Sequence, residues 1–265
     1  MKFIYGLNKS GQSIIDYLDF INEDYYCWDD SSKVRINLAK LNKKIRLIQP
    51  KNIDFKLIKE SFITPGISLN DEKIKIFKIN KIHLYRDLEL YSRITKKKKI
   101  IAITGTNGKS TTTKLISDIL KESKIKNFSG GNLGTPLLDF SKKNNKIEYH
   151  IIELSSFQLE SAISFNPFIS VLLNISPDHL DRYKNFEEYI SQKEKIIISN
   201  HKGYKIICID DKNTFLIYQK YKKKIIPISS KPFKGTIFYK NNTIVDDYFE
   251  KNKKIELKEI SSSLF

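Results

Sequence analysis

The sequence is short of cysteine, of long apolar runs and of acidic residues, and each shortage closes off a class of protein. Its two cysteines, Cys27 and Cys208, lack metal-ligand spacing, so a thiolate zinc site has no support. Both are flanked by apolar or aromatic residues and fit buried thiols in a reducing, cytoplasmic compartment. No apolar run approaches the roughly 20 residues that cross a bilayer, so no membrane association is expected. The start, Met1-Lys2-Phe3-Ile4-Tyr5-Gly6-Leu7, is broken by Asn8-Lys9 too early for a signal peptide. Thirty acidic residues against 47 basic ones leave a net charge of +17, which raises a nucleic-acid role. The lysines are nevertheless spread along the chain. The runs Lys96 to Lys99 and Lys222 to Lys224 abut apolar strands, and no RNP, zinc-finger or helix-turn-helix signature occurs. We expect no nucleic-acid partner; the charge instead helps attract polyanionic small molecules. At 265 residues and 40% hydrophobic content there is material for one large domain or two ordinary ones.

What is present is organised around Thr104-Gly105-Thr106-Asn107-Gly108-Lys109-Ser110-Thr111. The run Ile100 to Ile103 predicts a buried strand before it. Leu115, Ile116, Ile119 and Leu120 predict one face of a helix after it. A glycine-rich turn between strand and helix lets backbone N–H groups surround phosphate oxygens at the positive helix end. Gly105, Thr106, Asn107, Gly108, Lys109, Ser110 and Thr111 are therefore the candidate residues for binding a nucleoside triphosphate. Lys109 is placed for the terminal phosphates and the Ser110 hydroxyl for Mg²⁺. The first glycine of the common phosphate loop is missing, since Ile103 holds its position.

Earlier in the chain, Lys2 to Tyr5 and Tyr25 to Trp28 read as strands around a glycine turn, Gly6 to Gly11, and a helix with Ile14, Ile15, Leu18 and Ile21 on one face. The order strand, turn, helix, strand, acid is that of a dinucleotide fold. Asn8 stands where the second fingerprint glycine would be, which argues against a dinucleotide cofactor but leaves room for a nucleotide at the strand ends. Asp29 is either an acceptor for a sugar or base, or an ordinary loop acid. Phe62-Ile63-Thr64 runs into the turn Pro65-Gly66, and Ile82 to Tyr85 is a further strand on which His83 is expected to pack. A domain boundary is expected at Arg86–Asp87, because a fresh unit with its own phosphate loop follows.

After the loop, Gly130 to Pro136 is glycine-dense around Asn132, a side chain able to donate and accept. Glu153 leaves the strand His150 to Leu154, where a carboxylate suits Mg²⁺. The apolar run Ile169 to Ile175 reads as a central parallel strand with His179 beyond its C-terminal end, the usual ligand side of such sheets. Phe186, Tyr189, Ile190, Lys193 and Ile197 share a helix face, whereas Lys195, Lys202 and Lys205 have no such placement. A lysine on a buried stripe is paired, neutral or snorkelling. The residues alone leave open whether Lys193 packs its stem or is a catalytic or modified group. Lys205 to Ile209 and Lys224 to Ile228 continue the strand pattern. Thr236 to Tyr239 and Thr243 to Val245 form a hairpin about Asn241-Asn242, and Lys254 to Leu257 leads to Ser263-Leu264-Phe265 with no closing helix.

With these residues on the page, the chain resembles the Mur ligases, within them the branch that adds D-glutamate to UDP-N-acetylmuramoyl-L-alanine. The resemblance spans essentially the whole chain. It rests on the Gly6 turn with Asp29, Thr64-Pro65-Gly66, Asp87-Leu88-Glu89-Leu90, GTNGKST at Gly105–Thr111, Gly131-Asn132-Leu133-Gly134, Glu153-Leu154-Ser155-Ser156-Phe157-Gln158-Leu159-Glu160, Asp178-His179-Leu180-Asp181-Arg182-Tyr183, and Tyr189 with Lys193.

The resemblance implies an α/β fold: a Rossmann-like UDP-binding domain over 1–86, then a P-loop-type central ATP-binding domain over 87–265 with a mainly parallel sheet. It implies ATP-dependent amide ligation through an acyl phosphate, with ATP and Mg²⁺ required. Lys109, His179 and Lys193 would be catalytic. Ser110 and Glu153 would hold one Mg²⁺; His179 and Lys193, the latter as a carbamate, a second. Asn132, Ser155 and Gln158 would contact the muramoyl-alanine part, and Lys9, Ser10, Asp29 and Gly66 the uridine diphosphate. A cytoplasmic monomer is expected. Family members continue with segments that complete the central domain and add a C-terminal one, so this chain is expected to be a fragment, or half of a split protein, that ligates poorly alone. The alternatives are another Mur ligase, a folylpolyglutamate synthetase, or a catalytically silent nucleotide- or UDP-sugar-binding module.

Overall fold

A computed structural model describes residues 1–42, 44–132, 134–142, 147–198, 202–250 and 253–257. Leu133 and the terminal Ser263-Leu264-Phe265 lie outside the described residues. The chain begins with β1 (Lys2–Tyr5), α1 (Lys9–Phe20), β2 (Tyr25–Trp28), α2 (Ser32–Leu41), β3 (Glu60–Ile63), α3 (Lys75–Ile79) and β4 (His83–Tyr85). These strands form a parallel sheet in the order β2-β1-β3-β4. Phe3, Ile4 and Tyr5 are buried on both faces, as a central parallel strand requires. Ile4 joins Ile14 and Leu18 of α1 on one side, while Phe3 and Tyr5 join Phe77 of α3 on the other. α1 packs tightly against the first strand's exit because Gly11 has no side chain: a Cβ there would lie 1.9 Å from the Gly6 carbonyl oxygen.

Helix α4 (Asp87–Ile94) leads to β5 (Lys99–Thr104), α5 (Lys109–Glu122), β6 (Asn127–Gly131), β7 (Tyr149–Glu153), α6 (Ser156–Leu159), β8 (Ile169–Leu172), α7 (Phe186–Ile198), β9 (Tyr204–Cys208), α8 (Lys212–Tyr221) and β10 (Ile226–Ser229). β11 (Ile237–Lys240), β12 (Thr243–Asp246) and β13 (Lys253–Glu256) follow. Among the described residues the second sheet runs β13-β12-β11-β10-β9-β8-β5-β7-β6. It is parallel from β6 across to β11 and antiparallel beyond. The β11–β12 hairpin turns on Asn241 and Asn242, both at positive φ, which asparagine tolerates in a tight turn. β5 lies between β7 and β8, so chain order reverses on either side of it. Ligands of open α/β sheets collect at such a reversal.

Several details depart from the sequence reading. Leu115 and Ile119 are 45% and 55% exposed; α5 packs through Thr113, Ser117, Ile116 and Leu120 instead. Small residues at 113 and 117 allow a close approach to β6, where the Ser117 hydroxyl donates to Asn127 Oδ1 at 2.7 Å. Ile21 lies just past the end of α1 and is exposed. The central strand β8 stops at Leu172 rather than Ile175. Lys205, expected to lack a buried placement, is only 8% exposed on β9. His83 is exposed, stacked on Tyr85 with ring centroids 6.0 Å apart. Cys27 is buried but Cys208 only half-buried. No described helix is long and apolar enough to cross a membrane.

One core group carries a pH dependence. His150 on β7 is buried, its Nδ1 paired with the Tyr91 hydroxyl at 2.8 Å and its ring packed by Phe128 and Phe140. Burial, helped by the Lys98 charge, pushes its pKa down to about 4. In the unfolded chain it titrates near 6.5. Between these values the unfolded state takes up a proton that the folded state refuses. Stability is therefore full above about pH 6.5 and falls as the pH drops towards 4, by about 3 kcal/mol at most. Denaturant melts of wild type and His150→Phe at pH 7, 5 and 4 check this; the variant is expected to lose this component of the slope.

Candidate phosphate and substrate site

The loop after β5 is held from several sides before any ligand is considered. Gly108, the residue preceding α5, has φ +82, a left-handed conformation that a side chain would strain. Asn174, just past β8, brackets Asn107: its Oδ1 accepts from the Asn107 N–H at 2.8 Å and its Nδ2 donates to the Asn107 carbonyl at 3.0 Å. The Thr106 hydroxyl meets the Ser176 carbonyl and the Tyr189 hydroxyl, each at 3.1 Å. Asn174 was not singled out from the sequence. Its one signal there is a polar residue near the end of an apolar run.

Two amines converge on this loop. Lys109 Nζ donates to the carbonyls of Gly105 at 3.0 Å and Thr106 at 2.8 Å. Lys193 Nζ, from α7, donates to the same Gly105 carbonyl at 2.8 Å and lies 4.9 Å from the centre of the Tyr189 ring. Lys193 is 2% exposed, so the snorkelling alternative is set aside. Burial first, then the Lys109 charge, push its pKa down to about 7, against the pull of Asp178. Burial also lowers the Lys109 amine, with Glu153 and Asp178 opposing. Asp178 is thus a further member of the site, visible in the sequence only as the neighbour of His179.

Beside the amines, the Ser110 hydroxyl donates to Glu153 Oε2 at 2.6 Å. A cavity of about 340 Å³ opens next to this pair, between α5 and the β6 edge, lined in part by Thr113, Ser129, Gly130 and Thr135. A hydroxyl and a carboxylate are hard oxygen donors, which suits Mg²⁺. Among the described residues there is no group of three or more His, Cys, Asp or Glu that could hold a metal. His179 stands in a loop at φ +53, half-exposed, its Nε2 3.5 Å from Asp178 Oδ2 and its ring 4.9 Å from that of Phe157. It is linked to Lys193 through shared neighbours, Asp178 by charge and Tyr189 by ring contact.

The remaining candidates fall into two groups. Near the loop, the N–H of exposed Asn132 donates to the Glu153 carbonyl at 3.1 Å. Ser155 and Gln158 face each other as the capping box of α6, and Gln158 Nε2 donates to Asp87 Oδ2 at 3.1 Å. Across the first sheet, Lys9 and Ser10 lie in the first turn of α1, Lys9 exposed and Ser10 half-buried. Asp29 is buried, and its carboxylate accepts from the N–H groups of Leu7 at 2.7 Å and Ser31 at 2.9 Å. It therefore holds the Gly6 turn in shape. Gly66 is exposed, its carbonyl accepting from Arg182 Nη1 at 3.3 Å.

The Mur ligase middle domain matches residues 103–264. The UDP-N-acetylmuramoylalanine–D-glutamate ligase of Wolbachia pipientis wMel is 40% identical over 228 residues, 85% of this chain and 44% of that protein. The protein of the same name from Rickettsia bellii is 38% identical over 253 residues, 93% of this chain and 55% of its own length. The chain thus spans about half the length of the curated relatives it matches. Among solved structures, the UDP-N-acetylmuramate:L-alanyl-gamma-D-glutamyl-meso-diaminopimelate ligase from Neisseria meningitides superposes with a TM-score of 0.61 at 12% identity, covering 93% of this chain and 84% of that one. At that identity the likeness speaks for the fold alone.

Proposed function

The chain belongs to the Mur ligase family, and on that premise we propose that it carries the nucleotide and precursor sites of an ATP-dependent ligase. The reaction joins D-glutamate to UDP-N-acetylmuramoyl-L-alanine in the cytoplasm. What supports the reading most is the convergence of Lys109 and Lys193 on the Gly105 carbonyl beside the Ser110–Glu153 pair. Such a site has cationic groups for phosphoryl oxygens and oxygen ligands for a hard cation.

The division of labour follows. A carboxylate is a poor electrophile, so the alanine carboxylate first takes the terminal phosphoryl group of ATP, releasing ADP. The amine of D-glutamate then attacks the acyl carbon, and the tetrahedral adduct expels phosphate. Residues 105–111 cradle the ATP phosphates, and Lys109 follows the moving phosphoryl group. Ser110 and Glu153 would hold one Mg²⁺, and His179 with a modified Lys193 a second, where the ion supplies charge neutralisation on phosphoryl oxygens. A protonated Lys193 has no lone pair for a cation. Its neutral amine, reacting with CO₂, gives a carbamate anion and releases one proton, which makes it a donor. Asn132, Ser155 and Gln158 orient the muramoyl-alanine part, with Gln158 and Ser155 exchanging their mutual bonds for the ligand. Lys9, Ser10, Asp29 and Gly66 form the uridine diphosphate side, on a unit we place at 1–86, with 87–265 as the catalytic unit of a monomer.

The test is direct. The chain is expected to bind Mg-ATP and UDP-N-acetylmuramoyl-L-alanine at separate sites in calorimetric titrations. Where turnover is measurable, phosphate release is expected to depend on D-glutamate over other amino acids. Binding of neither nucleotide, or preference for another amino acid, would overturn the reading.

A further inference from the structure

The turn proposed to face the uridine diphosphate is built around a buried arginine. Arg86 is 0% exposed and precedes α4, between the two sheets. Its Nη1, with two N–H groups to share, lies within hydrogen-bond reach of three carbonyls at one turn: Ile63 at 3.1 Å, Thr64 at 2.7 Å and Ile67 at 2.8 Å. Its Nη2 donates to Glu160 Oε2 at 2.5 Å, just past α6. Glu160 is itself fixed from the catalytic side. Its Oε1 accepts from the Tyr183 hydroxyl at 3.3 Å, and its backbone carbonyl from Lys195 Nζ at 2.8 Å. The Arg86 N–H also donates to Ser161 Oγ at 2.9 Å. A guanidinium in a dry site costs much solvation, and here its charge is met by one carboxylate and three carbonyl dipoles. An apolar side chain would fill the volume without fixing three carbonyl directions.

We propose that Arg86, held by Glu160, is a positioning residue: it sets the Thr64-Pro65-Gly66 turn against the Tyr183 loop and thereby tunes the affinity for the uridine diphosphate moiety. The functional half of this inference rests on the reading of that turn as part of the uridine diphosphate site. The planar fork is essential, because a lysine ammonium is a point charge that cannot serve three carbonyls and a carboxylate in the same geometry.

The experiment uses Arg86→Lys, with Glu160→Gln as a second variant that leaves the arginine in place but weakens its anchor. Hydrogen exchange reports the latch, since the Thr64 amide donates to the Tyr5 carbonyl at 2.9 Å and the Ile67 amide to the Thr64 carbonyl at 3.0 Å. Exchange at these two amides is expected to speed up about tenfold or more in both variants, with protection of β5 and β7 unchanged. Titration with uridine diphosphate itself is expected to show about tenfold weaker binding, while Mg-ATP affinity stays within about twofold. Wild-type exchange at 64–67 in either folded variant overturns the latch. Faster exchange with unchanged affinity for uridine diphosphate, or an equal loss for both nucleotides, overturns its role in positioning. A wild-type chain that binds no uridine diphosphate overturns the ligand reading of the turn, and the exchange arm still decides the latch.

Discussion

Replacing Lys109 with methionine is expected to weaken Mg-ATP binding by about 100-fold or more, with little change in fold. The Lys109 ammonium spends its hydrogen bonds on two loop carbonyls, Gly105 and Thr106, and is half-removed from water. A triphosphate offers stronger, charged acceptors at the same place. Hydrogen bonds to charged groups contribute roughly 1.5–3 kcal/mol each, so loss of one or two amounts to one to several decades of affinity. Methionine keeps the stem, so α5 and β5 are expected to retain their packing. There is a second, coupled result. The Lys109 charge is one cause of the low Lys193 pKa, so in Lys109→Met that pKa is expected to rise above about 7. Calorimetric titration with Mg-ATP checks the first outcome, and a pH titration of Lys193 reactivity the second. Unchanged ATP affinity in the methionine variant would remove Lys109 from the site.

The Lys193→Met variant is expected to lose phosphoryl transfer by two to three decades, the scale seen when one preorganised electrostatic group is deleted. The neutral amine is the form that reacts with CO₂. An unperturbed lysine is neutral to only about 0.03% at pH 7. With its pKa at about 7, half of Lys193 is neutral there. The lowered pKa thus raises the reactive fraction by about three decades, and occupancy of the carbamate is expected to climb as pH rises through 7. Labelled ¹³C-bicarbonate supplies the readout: a carbamate carbon resonance that grows between pH 6 and 8 in the wild-type chain and is missing in Lys193→Met. No resonance at pH 8 in the wild type would mean that Lys193 acts as an ordinary amine. Lys193→Arg is a useful companion, since it preserves the cation but cannot take up CO₂ at these pH values. It is expected to behave like the methionine variant.

Much of the candidate site was legible in the chain before folding was considered. The candidate phosphate loop is a local motif: strand, glycine turn and Gly-Lys-Ser occur within a dozen residues, so their spacing alone suggests it. Lys193 could be assigned to a buried helix face from its period with Tyr189, Ile190 and Ile197, and it is buried. Less was legible where partners come from distant segments. Asn174 clamps Asn107 across 67 residues of chain, and Arg86 closes on Glu160 across 74. Neither spacing leaves a periodic trace. The exposed Leu115 and Ile119 show the converse limit. Hydrophobic periodicity names an apolar stripe, but the neighbouring strand decides which side of the helix is covered, and β6 accepts the small residues of α5.

By itself, then, the sequence determined the class of this protein: an α/β chain with a Gly-Lys-Ser glycine turn between strand and helix and a second glycine turn near its start. These are properties of short windows, where backbone geometry and side-chain chemistry are set by near neighbours. Only the tertiary structure decided how the groups act on one another. Two lysines 84 positions apart share one carbonyl, and burial with mutual repulsion takes one of them down to a pKa of about 7. Proton affinity depends on solvent exclusion and on charges within a few ångströms, and both exist only once β5, α5 and α7 have packed.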